Sequence, residues 1–73
     1  MHARERYDQL LTIEKKLRDL GTEEWLVPKL AKKVLQLFSD CPLIVIENFN
    51  KHNWSMSELY HWLNHAAVFK SQN

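Results

Sequence analysis

Apolar positions recur at helical intervals along nearly all of this chain. In residues 3–20, Leu10, Ile13, Leu17 and Leu20 follow one another at steps of three, four and three, and Tyr7 and Leu11 are expected to widen that stripe. The facing side holds Arg4, Asp8, Lys15, Arg18 and Asp19. Opposite charges stand four apart in Arg4–Asp8, Glu14–Arg18 and Lys15–Asp19, a spacing that supports an exposed helical surface. Gly21 predicts the stop, because glycine takes the left-handed conformation past a helix end without steric cost.

A second stripe follows at once. Thr22 predicts an N-cap, with Glu23 and Glu24 in the first turn, where the helix dipole favours anions. Val27, Leu30, Val34 and Leu37 repeat the three-four-three spacing, and Leu26, Ala31, Leu35 and Phe38 add a second row. The polar residues here are Lys29, Lys32, Lys33 and Gln36, a narrow wetted strip on a helix buried on most sides. Pro28 conflicts with one straight helix from Thr22, since an interior proline costs about 3 kcal/mol. A turn over 23–27 and a fresh start near Pro28 are the expected result.

Ser39-Asp40-Cys41-Pro42 marks the next boundary, with Asp40 as the expected N-cap and proline in the first turn. The segment PLIVIENFN has two readings. Its β-branched run suits a short buried strand, but the chain offers no second strand to pair with it. A lone strand would survive only by pairing across a dimer. A helix from Pro42 to about Lys51, with Leu43, Ile46 and Phe49 turned inward, is the preferred reading. Lys51-His52-Asn53 is then a turn, and Ser55 with Glu58 forms a capping box that opens the last helix. That helix runs to about Lys70, with Met56, Leu59, Tyr60, Leu63, Ala66 and Ala67 on its apolar face and Trp62 and Phe69 to one side. The pattern predicts an all-α domain over residues 1–73, a bundle of about four helices whose first two form an antiparallel hairpin.

Composition narrows the class. Seventy-three residues form one small domain that buries only about 60% of its unfolded surface. Cys41 is the single cysteine, so no disulfide forms within the chain, and a reducing, cytoplasmic setting is expected. The charged N-terminal stretch MHARERYDQLL does not read as a signal peptide. The longest apolar run, Leu43 to Ile46, falls far short of the roughly 20 residues of a membrane span. Ten Lys and Arg against nine Asp and Glu give a net charge of +1, whereas nucleic-acid-binding domains usually carry a basic excess.

The candidate chemistry is sparse. Glu58, His61 and His65 share one face of the last helix, and the i,i+4 spacing of the histidines lets two imidazoles reach one zinc ion. A structural zinc wants four ligands and nothing nearby supplies the others, so these residues read as a solvated face, with no metal or cofactor expected. His-Glu-x-x-His is absent. Cys41 could act as a nucleophile at a helix start, but Asp40 beside it opposes thiolate formation. No Gly-rich phosphate loop or nucleophile elbow appears, and an enzyme is not expected.

Residues 43–69 can be read as helix-turn-helix, but the exposed face of the second helix offers Ser57, Glu58, His61, Asn64 and His65 and little that reads base edges. Lys29, Lys32 and Lys33 make a better basic strip, though a small one. DNA binding through these lysines is the alternative reading, and metal binding through the histidine face a second. The leading expectation is protein binding. Trp25, Trp54, Tyr60, Trp62 and Phe69 come on top of enough aliphatic residues to fill a small core, and Trp and Tyr are over-represented where binding energy concentrates. A non-catalytic interaction module is expected, a regulator or adaptor of another protein, of a scale that suits a prokaryotic or phage-encoded protein. A homodimer would cover the surplus apolar surface.

Overall fold

A computed structural model of the chain describes the backbone of residues 3–72 and the side chains of residues 4–65. Four helices follow one another among the described residues: α1 (Ala3–Asp19), α2 (Val27–Leu37), α3 (Pro42–Lys51) and α4 (Met56–Gln72). PLIVIENFN is helical throughout, so the strand reading falls. Ile46 turns fully inward, and Leu43 and Phe49 pack against the core with part of each ring or chain still wet.

α1 ends as glycine dictates. Gly21 has φ +83°, and the chain closes with two hydrogen bonds, the Thr22 N–H donating to the Leu17 carbonyl at 3.0 Å and the Gly21 N–H to Arg18 at 3.0 Å. The α3–α4 turn repeats this geometry with a different residue. Asn53 has φ 63°, its N–H donates to the Asn50 carbonyl at 3.0 Å, and the Trp54 N–H donates to Phe49 at 2.9 Å. Asparagine tolerates the left-handed region better than other side chains. His52 adds a third closure, its Nδ1–H donating to the Asn48 carbonyl at 2.8 Å.

Two expected caps are corrected. Thr22 does not cap α2: the N-cap is Leu26, with no side-chain hydrogen bond, because a turn closed by the Leu26 and Val27 N–H groups on the Glu23 carbonyl intervenes. Pro28 then lies in the first turn of α2, where its missing N–H costs nothing. The Thr22 hydroxyl is buried and has no hydrogen-bond partner among the described residues. Asp40 does not cap α3 either, since the N-cap is Cys41, again without a side-chain bond. The capping box does form. The Glu58 N–H donates to Ser55 Oγ at 3.1 Å and the Ser55 N–H to Glu58 Oε1 at 3.2 Å.

α2 is the centre of the bundle. It packs against α1, α3 and α4, whereas among the described residues the backbone of α4 comes close to α1 and α3 at few points. It buries Val27, Leu30, Ala31, Val34 and Leu35, which join Ile13 and Leu17 of α1, Ile46 of α3 and Met56, Leu59 and Leu63 of α4 in one core. Arg6, Tyr7 and Leu10, early in α1, line one groove with Lys32, Leu35 and Gln36, late in α2, so the hairpin is antiparallel. Extents of 36 × 34 × 21 Å make the molecule two helices thick.

Tyr7 and Leu11 do not widen the α1 stripe, and both are exposed. At 3.6 residues per turn, Leu11 stands roughly 160° around the helix from Ile13, which faces the core. Arg18 reaches forward to Glu24 at 3.2 Å, tying the helix to the following turn. Lys16 pairs with Glu47 at 3.5 Å across α1 and α3, an exposed contact worth at most about 1 kcal/mol. No described helix is long and apolar enough to cross a membrane.

Candidate functional site

The rings expected at the surface fall into different places. Trp62 lies about 60° around α4 from Leu59, so it leaves the core stripe at its edge. It is 39% exposed and stacks on Phe38 (6.4 Å between ring centres, planes 10° apart) at the end of α2. Its other neighbour is Phe49 of α3, at 5.2 Å. Phe49 in turn meets Trp54 edge-on at 4.8 Å. Phe38, Trp62, Phe49 and Trp54 thus form one continuous row joining α2, α4, α3 and the α3–α4 turn.

The backbone explains why Trp54 is there. It follows the left-handed residue of the α3 closure, and the residue at that place commonly packs on the one whose carbonyl its N–H reaches. Here that pair is Trp54 and Phe49. Trp54 is nevertheless 36% exposed. It lines an open groove of about 610 Å³ with Ser57, Glu58, His61, Trp62 and His65. Two indoles, held by ring contacts and flanked by small and polar side chains, present a preset apolar surface with few rotamers left to lose.

The other expected binding residues do not join this groove. Tyr60 is half-buried against the core. Trp25 is 57% exposed, on the α1–α2 connection, where its Nε1–H donates to the Glu23 carboxylate and the Lys29 ammonium sits 5.7 Å from its ring centre. Phe69 lies outside the described side chains. Phe38 and Phe49 were missed as parts of the site, although Phe38 is the C-cap of α2 and the Phe49 carbonyl accepts the hydrogen bond that closes α3. Exposed Ile44 was also missed, and it borders a second groove of about 290 Å³ with Ile13, Cys41, Pro42 and Leu43 between α1 and α3.

The lysine strip is present on α2, with Lys29 and Lys32 exposed and Lys33 half-buried. Lys29 is occupied by Trp25, and Lys32 lines the α1–α2 groove beside Arg6. On α4, His61 and His65 are exposed and their Nε2 atoms lie 3.3 Å apart. Glu58 shares their groove but is held by the capping box. No group of three or more His, Cys, Asp or Glu side chains converges among the described residues. Against known protein families, curated proteins and solved structures, the chain finds no match.

Proposed function

We infer that this chain is a small non-catalytic protein-binding module, a regulator or adaptor that works through the groove over Trp54 and Trp62. One observation carries the reading: both indoles keep more than a third of their surface exposed while being fixed from below by Phe38 and Phe49. Exposed aromatic surface that is already ordered gives binding energy without the ordering cost that a mobile side chain would add. The first partner to test is a second copy of the chain, because Tyr7, Leu11 and Ile44 leave further apolar surface uncovered.

The probe is Ser57→Arg. Ser57 lines the groove, is exposed and lies outside the capping-box hydrogen bonds, so a long charged side chain there blocks the groove without touching the core. Light scattering behind a sizing column, over a tenfold concentration range, should give a dimer mass for the parent chain and a monomer mass for Ser57→Arg. If the parent is a monomer, both chains serve as bait, and a directly binding protein should be retained by the parent and lost by the variant. Association unaffected by Ser57→Arg, in either format, would remove this groove from the function.

A further inference from the structure

We propose that His61 and His65 form a two-imidazole site for a divalent ion of the zinc class on the rim of the aromatic groove. The two residues stand one turn apart on α4, and their Nε2 atoms are 3.3 Å from each other. Their ring centres are 4.8 Å apart, so the rings turn their Nε2 edges together, with planes at 77°. Zinc binds imidazole nitrogen at about 2.0–2.1 Å, and two such bonds at a tetrahedral angle hold their nitrogens about 3.3–3.4 Å apart. A right-angle arrangement would bring them to about 2.9 Å, so a tetrahedral ion asks for the smaller movement of the rings.

Both rings are exposed, so an ion has an entry path and the imidazoles give up little solvation to bind it. The competing description is a hydrogen bond shared between the two rings. At 3.3 Å between exposed groups it is long and weak, and an ion takes the place of its proton. Glu58 shares their groove, but no group of three or more His, Cys, Asp or Glu side chains converges among the described residues, so it is not placed as a third ligand. The described residues therefore supply two ligands, and water fills the other two positions. Such a site is open and weak, and it adds a cationic corner beside Trp62 that the groove otherwise lacks. It does not depend on the groove's use as a protein-binding surface.

The test uses the full chain and zinc alone, with the histidine ring resonances followed by NMR. The His61 and His65 rings should shift together and saturate at one ion per chain. Thermal stability should rise with zinc and fall back with chelator, because the ion binds only where α4 is helical. His61→Asn and His65→Asn should each weaken binding by at least ~10-fold, and His52→Asn should leave it unchanged. Circular dichroism confirms that each variant is folded. Three results would overturn the site: no shift of the two rings up to about 1 mM zinc, binding that survives either asparagine substitution, or binding that follows His52 or Cys41 instead.

Discussion

Trp62→Ala separates the structural role of the aromatic row from its exposure. With 39% of the residue in contact with solvent, the buried remainder of a tryptophan amounts to roughly 150 Å². At about 25 cal/mol per Å², and allowing for what alanine still buries, the lost transfer energy is about 3 kcal/mol. The ring contacts to Phe38 and Phe49 raise that cost, while the open side of the groove lets neighbours relax and lowers it, so about 2–3 kcal/mol is expected. For a chain this size that is a large part of a total near ~4–11 kcal/mol. Urea unfolding followed by circular dichroism should show the midpoint fall with the slope unchanged. A double-mutant cycle with Phe49→Ala should recover about 0.5–1.5 kcal/mol of coupling. A loss under ~1 kcal/mol, with no coupling, would mean that Trp62 rests on the surface and that the row is not a structural unit. With Phe38 and Phe49 beneath the indole, Trp62→Ala should weaken folding as well as any association through the groove, which is why Ser57→Arg is the cleaner probe of binding.

Other substitutions test the connections. Gly21→Ala should cost about 1–2 kcal/mol in thermal unfolding, purely from backbone strain at φ +83°, since no atom lies within 4 Å of an added Cβ; a neutral result would mean that the turn readily re-forms without a left-handed residue. Thr22→Val should be neutral or stabilising by up to ~1 kcal/mol, because it removes a buried hydroxyl that has no partner and keeps the shape; clear destabilisation would show that the hydroxyl is hydrogen-bonded in solution.

Much of the architecture was legible because single residues impose local geometry. Gly21 ended α1, Pro28 forced a fresh start for α2, and Ser55 with Glu58 opened α4. The helix over PLIVIENFN followed from the absence of any pairing strand. The missed features are those where several local solutions compete. Thr22 and Asp40 are good capping residues by type, but the chain enters α2 and α3 one turn or one residue later than either could serve. Leu11 is near the stripe in sequence, yet the helical angle points it away, and Tyr7, about 60° from Leu10, borders the α1–α2 groove and stays exposed. The aromatic row was half visible. Trp54 and Trp62 stood out by type, but their meeting through Phe49 depends on the left-handed conformation at Asn53, which asparagine permits and does not announce.

The central position of α2 has a consequence for how the molecule comes apart. Three helices share one neighbour, and among the described residues α4 is held beyond it mainly by the Trp62–Phe49 contact with α3. Damage to α2 is therefore felt everywhere at once, while α4 can lift away with the α1–α2–α3 packing largely intact. Opening of that kind would uncover Leu59 and Leu63 and break the aromatic row at Trp62. A partner seated over Trp54 and Trp62 would act as a clasp across this seam, so that binding and the closing of the fold draw on the same contacts.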